Sequence, residues 1–258
     1  MENNSHFVKN GNVITPKPVG SDYNLKAGNV YRLVEDKYTD LLYITEDKAF
    51  EFPKRYYSTK EDDTFATKVI NTFNKTEKLT TGVLLSGMKG SGKTLMAKKI
   101  AEKSNLPIIV VDKEVRAIDI ENFFAQMSIN VCVIFDEIDK YWNSRYLLGF
   151  LDGVKPSCKK LVICTANEEK EVDEYLNDRC SRVRYKRTFN ALSKQIVSGV
   201  LNDIIKDKKK AEAATEFIIN NIRVVSYDNV IIFGEEVKNN PDESFESIIA
   251  DLNVEKKD

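Results

Sequence analysis

Eight consecutive residues, Gly87-Met88-Lys89-Gly90-Ser91-Gly92-Lys93-Thr94, have the types and spacing of a phosphate cradle. Glycines let a backbone close around an anion, so that successive N–H groups and a helix N-terminus face phosphate oxygens. Gly87, Gly90, Ser91, Gly92 and Leu95 are expected to supply the loop and the first turn of that helix. Lys93 would reach the β- and γ-phosphates of a nucleoside triphosphate, and Thr94 would place its hydroxyl on Mg²⁺. The context agrees, with an apolar run (Gly82-Val83-Leu84-Leu85-Ser86) before the loop and helical spacing from Leu95 to Ala101 after it.

Three further segments carry polar groups where such a loop needs them. The apolar run Val131-Cys132-Val133-Ile134-Phe135 ends in Asp136-Glu137. Residues just past the carboxyl end of a parallel strand face the ligand crevice. There Asp136 suits Mg²⁺, usually through water, and Glu137 suits the orientation and deprotonation of an attacking water. The same acidic pair also suits a helix N-terminus whatever the chemistry. Leu161–Cys164 ends in Thr165-Ala166-Asn167, where the Asn167 amide would fix the water or touch the γ-phosphate; alone it would be a turn former. Arg179 and Arg182, three apart, can share a helical face, and a guanidinium suits the charge that develops on a transferring phosphoryl group.

The elements that position these residues follow from periodicity. Apolar runs at residues 82–86, 106–111, 131–135 and 159–165 alternate with helical patterns near 95–101, 118–127 and 146–151. That alternation predicts an α/β domain, a parallel sheet with helices on both faces. Phe65, Val69, Ile70 and Phe73 predict a helix over 64–74 leading into it. Residues 1 to about 20 read as a flexible lead or loose first strands. Strand patterns at 30–34, 41–45 and 49–52 predict either a small β-rich module or an extension packed on the next domain. From Phe189 the pattern turns helical at 191–205, 211–221, 227–237 (with Ser226 as its cap) and 244–252, and Asp207-Lys208-Lys209-Lys210 reads as a solvated turn. The expected division is 1–62 for the β-rich module, 63–188 for the nucleotide domain and 189–258 for a small helical lid.

Together the four polar segments resemble those of the AAA+ ATPases. Gly87–Thr94 resembles Walker A, Phe135-Asp136-Glu137 Walker B, Asn167 sensor 1, and Arg179 with Arg182 the arginine-finger pair. Leu147–Val154 is similar to the helix after Walker B in the AAA clade, with its Leu-Asp-Gly run. The short chain and β-rich start are similar to compact AAA ATPases encoded by tailed phages. The resemblance, over residues 64–258, implies ATP and Mg²⁺ as cofactors and a homo-oligomeric ring, a hexamer favoured, with ATP at subunit interfaces. It implies remodelling of a protein or macromolecular complex, with Arg179 acting on a neighbour's nucleotide. Three features depart from the pattern. Met88-Lys89 stand where the family commonly has Pro-Pro in the cradle, which should not affect phosphate contacts. The segment Asp112-Lys113-Glu114-Val115-Arg116 lacks the aromatic-apolar-Gly triplet of protein-threading members. Tyr227-Asp228-Asn229 stand where a sensor 2 arginine would open the third lid helix.

Composition narrows the partners. The 258 residues are 31% charged and 42% hydrophobic with a formal net charge of −1, so nothing global draws the chain to nucleic acid or anionic lipid. A protein partner is expected over nucleic acid. The alternatives are a loader-like or packaging-related ATPase on nucleic acid, which an aromatic-basic stripe would favour, and a nucleotide-gated scaffold with little turnover. No Asn-Lys-x-Asp follows the loop, which disfavours a GTPase. No apolar run approaches the ~18 residues of a membrane span and no signal-peptide pattern opens the chain, so no membrane role is expected. Cys132, Cys158, Cys164 and Cys180 have no metal-type spacing, and two lie in apolar runs, which fits the reducing cytoplasm.

Overall fold

The computed structural model describes residues 6–17, 23–36, 38, 41–50, 59–111, 115, 117–141, 144–152, 158–167 and 180–257. The chain divides into two compact units. The first comprises Met1–Phe52, Thr64–Gly87 and Lys93–Thr188, and the second Pro53–Asp63, Met88–Gly92 and Phe189–Asp258.

The first unit is built on one nine-stranded sheet. Its middle is parallel: β5 (Thr80–Gly87) pairs with β8 (Lys160–Ala166), β8 with β7 (Val131–Phe135), and β7 with β6 (Ile108–Val111). Every residue of β7 and β8 is buried, which is why these strands read as unbroken apolar runs. α2 (Lys93–Ser104) packs on β5, β7 and β8 through Met96, Ala97, Ile100 and Ala101. On the other side, Val131, Val133 and Phe135 meet Phe123 and Phe124 of α3 (Ala117–Ala125) and Phe150 of α5 (Ser144–Asp152). Three of these rings, Phe124, Phe150 and Phe135, pack edge to face in series. The expected α/β layering is present.

The consecutive strands β5 and β6 lie on opposite sides of the β7–β8 pair. Such a topological switch leaves a crevice outside the carboxyl ends of the strands.

The N-terminal strands extend the same sheet. β3 (Val30–Glu35) runs parallel to β6, with Val30 opposite Ile108. β4 (Leu42–Glu46) pairs antiparallel with β3, β2 (Val13–Lys17) with β4, and β1 (His6–Asn10) with β2. The expected boundary at residue 62 therefore separates stretches of chain whose strands share one sheet. Of the strand expected at 49–52, Ala49 and Phe50 are irregular and the rest lies outside the described residues. Of the two readings of the first 20 residues, first strands are present, as a hairpin, β1–β2, turning at Gly11-Asn12.

Two elements depart from the sequence expectation. α1 (Lys60–Lys75) starts four residues before Thr64, because Thr59 and Asp62 form a reciprocal cap: the Thr59 N–H donates to the Asp62 carboxylate at 2.8 Å, and the Asp62 N–H to Thr59 Oγ1 at 3.2 Å. β9 (Val183–Phe189) is an edge strand beside β5, with the sequence VRYKRTF. Its alternating half-buried and exposed residues and its cations suit an edge that must stay unpaired.

The second unit is held by its own apolar core, including Val197, Leu201, Ile218, Phe233 and Ile249. Its helices are α6 (Lys194–Ile205), α7 (Lys208–Asn221), α8 (Tyr227–Asn239) and α9 (Phe245–Asp251). Each is opened by a side chain accepting from a first-turn N–H: Ser193, Asp207, Ser226 and Ser244. Such a cap contributes about 1 kcal/mol. Asp207 thus caps α7, and the three lysines read as a turn form the first turn of that helix.

Candidate functional site

The phosphate-loop sequence adopts the backbone that its glycines permit. Gly87, Gly90 and Gly92 have φ of 123°, 73° and 98°, a region that side chains bearing Cβ rarely enter. In the first unit, Lys93 is the first residue of α2 and donates from Nζ to the Gly87 carbonyl at 2.7 Å. Burial of its ammonium pulls the Lys93 pKa below the ordinary lysine value, and the charges of Asp139, Glu137 and Asp136 oppose that shift. A buried ammonium suits a phosphate, whose own charge would restore the lost solvation. Leu95 lies in the first turn of α2, partly buried.

Met88–Gly92 clusters with the second unit. Ser91 turns back on the loop, its hydroxyl donating to the Met88 carbonyl at 2.6 Å. The Gly90 carbonyl accepts from the Tyr227 N–H at 3.0 Å. A Cβ on Gly90 would stand 2.7 Å from the Ser226 Cβ, so only glycine fits there. Burial, and then the nearby Asp62 carboxylate, push the Tyr227 phenol up to about 12.

The acidic pair and the amide come together as the sheet register requires. Phe135 pairs with Cys164 across β7–β8, so the next residues, Asp136 and Thr165, stand level. Thr165 Oγ1 donates to Asp136 Oδ1 at 2.6 Å and accepts from the Glu137 N–H at 2.9 Å. Thr94 Oγ1 donates to the same Asp136 oxygen at 3.3 Å. The Asn167 amide donates to Glu137 Oε1 at 3.0 Å, and Lys140 of α4 (Ile138–Tyr141) pairs with Glu137 Oε2 at 2.6 Å. Glu137 has φ of 51°, a left-handed conformation costing a non-glycine residue on the order of 1–2 kcal/mol. The Thr165 hydroxyl holds the strained N–H, and strain of this kind gathers at functional sites.

Thr94, Asp136, Glu137 and Asn167 are therefore brought together as the sequence led us to expect. Thr165 was not singled out, although it fixes two of them. The available signal was its place near the carboxyl end of the apolar run, two residues before Asn167.

The donor set fits Mg²⁺. A hydroxyl and a carboxylate are hard oxygen ligands, and Mg²⁺ takes few protein ligands, filling the rest with phosphate oxygens and water. Among the described residues no group of three His, Cys, Asp or Glu gathers that would hold a metal alone.

The arginines behave differently. Arg179 lies outside the described residues. Arg182 forks onto Asp152 at the end of α5, with Nε and Nη2 each 2.5 Å from a separate carboxylate oxygen. The hydrogen bonds to Asp152 raise its pKa.

Comparison with known proteins places this geometry. Residues 83–188 match the model of the ATPase family associated with various cellular activities (AAA). This stretch is similar to AAA-type ATPase domains. It holds most of β5 and Lys93, Thr94, Asp136, Glu137, Thr165 and Asn167. In sequence the chain is 31% identical over 123 residues to the ATP-dependent zinc metalloprotease YME1L1 of Mus musculus, and equally to that of Rattus norvegicus. The alignment covers 38% of this chain and 17% of each relative, so the chain spans a small part of the relatives' length. In structure it is similar to the Thermotoga maritima RuvB Holliday junction branch migration motor, with a TM-score of 0.53 at 14% identity. That likeness covers 70% of this chain and 62% of the other, and shows a shared fold. No described helix is long and apolar enough to cross a membrane.

Proposed function

We propose that the AAA-type ATPase domain hydrolyses ATP with Mg²⁺, and that turnover in a homo-oligomeric ring, a hexamer favoured, remodels a protein or macromolecular complex. The observation that carries this reading is the chain of contacts Thr94–Asp136–Thr165–Glu137–Asn167 at the ends of two buried strands. Lys93 would neutralise the β- and γ-phosphates, while Thr94 and Asp136 would hold Mg²⁺, which when bound spreads the charge developing on the transferred group. Glu137 would take the proton of the attacking water, and Asn167, already on Oε1, would keep that carboxylate aimed. Arg179 and Arg182 would serve a neighbouring subunit's nucleotide. For Arg182 that requires release from Asp152, or a role confined to positioning Arg179. The resemblance to compact phage ATPases and a cytoplasmic setting are part of the same reading.

The test is the native mass of Glu137→Gln with and without ATP and Mg²⁺. An ATP-dependent ring is expected, and a persistent monomer would refute shared sites. Mixing Arg179→Ala with Lys93→Ala should restore part of the turnover that each lacks alone. DNA-stimulated turnover with a steep salt dependence would instead favour the nucleic-acid reading, to which the likeness to RuvB draws attention.

A further inference from the structure

A cavity of about 370 Å³ opens beside Thr94 and Asp136 in the first unit. Its lining is mixed. Val110 and Ile134 supply apolar surface from β6 and β7, and Phe50 supplies a ring from the segment after β4. Three cations also line it: Arg32, Lys48 and Lys98. Arg32 is already neutralised, with Nε and Nη2 donating to Asp47 Oδ2 at 3.0 and 2.7 Å. Lys98 stands one helical turn along α2 from Thr94 and lies over the Phe50 ring, 5.3 Å from its centre. Among the described residues no ion pair ties Lys98 or Lys48 to a carboxylate.

We propose that this cavity is a second oxyanion site, one that takes a phosphate-type anion beside Asp136 and apart from the phosphate loop. Two ammonium groups without carboxylate partners line one concavity, whose apolar walls weaken screening and concentrate their field. Asp47 offsets Lys48 in part, since that lysine lies in the field of the carboxylate, but Arg32 takes its Oδ2, and the lining sets three cations against two carboxylates, Asp47 and Asp136. The rim of Thr94 and Asp136 puts the site next to where the γ-phosphate and its metal would lie, so inorganic phosphate released by hydrolysis is one source. The apolar lining and the Phe50 ring also accommodate the body of an organic phosphate, which is the other. Only the first source rests on the ATPase reading.

Calorimetry on the full chain, saturated with ADP and Mg²⁺, separates these cases. Inorganic phosphate and phenyl phosphate are titrated separately into wild type, Lys98→Ala, Lys98→Arg and Lys93→Ala. Saturable binding is expected, weakened about tenfold in Lys98→Ala and retained in Lys98→Arg, with thermal melting unchanged in both. Tighter binding of phenyl phosphate with the same Lys98 dependence would identify an organic phosphate as occupant; preference for inorganic phosphate would identify the reaction product. No saturable binding overturns the proposal. So does binding that Lys98→Ala leaves intact, in particular if Lys93→Ala abolishes it, because the anion then sits in the phosphate loop. ATP turnover measured in parallel keeps the two readings distinct. A chain that binds phosphate through Lys98 yet never hydrolyses ATP sinks the ATPase assignment and leaves this site standing.

Discussion

Two places in the sheet handle charge in opposite ways. At the ends of the central strands β7 and β8, Asp136, Glu137 and Asn167 stand on fully buried runs, and their polar tips meet one another and Thr94. Just before the edge strand β9, Arg182 is closed on Asp152, which lies 30 residues earlier in the chain. Its side chain is only 12% exposed. The central site is a set of groups held in position with chemistry left to do. The arginine is held by a complete bidentate pair. Burial on rigid strands sets the first arrangement, whereas partner availability sets the second.

The largest effect should come from the central site. Glu137→Gln removes the proposed proton acceptor while keeping the shape and the Asn167 contact. Turnover should fall about 10²–10⁴-fold with nucleotide binding kept, measured by steady-state phosphate release and nucleotide titration. Normal turnover would move the general base elsewhere and dissolve the contrast.

Thr165→Val tests whether the central site depends on its support as well as its acids. Valine matches the shape but removes the acceptor for the Glu137 N–H and the donor to Asp136. We expect turnover to drop roughly 10–100-fold, the usual scale for a residue that orients metal ligands, and Thr165→Ser to restore most of it. An unaltered kcat in Thr165→Val would show that Glu137 holds its strained backbone without help.

Arg182→Ala tests the closed end. The pair is partly exposed through Asp152, at 36%, so its loss should cost about 1 kcal/mol and lower Tm by roughly 2–4 °C. A turnover loss far beyond that, recovered in mixed assemblies, would make Arg182 a working finger and Asp152 its resting partner.

The same contrast explains what was legible in the sequence. Strands buried on both faces show as apolar runs, and a glycine loop or an acid at the end of such a run is conspicuous. Thr165 was not, because threonine is an ordinary strand residue and its role appears only once Phe135 is paired with Cys164. β9 was missed because VRYKRTF alternates cations with larger groups, a pattern shared by any solvated stretch. The Arg182–Asp152 pair depends on where β9 begins, and its approach to β5 is tight. A Cβ on Gly82 would fall 2.1 Å from the Arg182 carbonyl oxygen, so glycine in β5 is what admits the chain carrying Arg182. The N-terminal strands were legible as strands. That they join the main sheet through β3 and β6 was not, because a parallel pairing across more than 70 residues leaves no local signature.

The smallest effect expected at the central site concerns Lys140, its one contact that looks like the closed end. Its ammonium pairs with Glu137 Oε2 at 2.6 Å, and the two side chains are 43% and 29% exposed. A pair this open is worth about 0.2–1 kcal/mol. It nonetheless engages the oxygen that the Asn167 amide does not contact, so the carboxylate is paired on one side while oriented on the other. Lys140→Met should remove this ion pair and raise turnover about two- to fivefold at low ionic strength. Raising salt from about 50 to about 500 mM screens the pair in wild type, so wild-type turnover should approach that of the variant while the variant changes little. Equal salt responses in the two proteins would show that Lys140 does not restrain Glu137. A fall in turnover would show instead that the lysine helps to aim the carboxylate, and the central site would then lean on an ion pair much as Arg182 does.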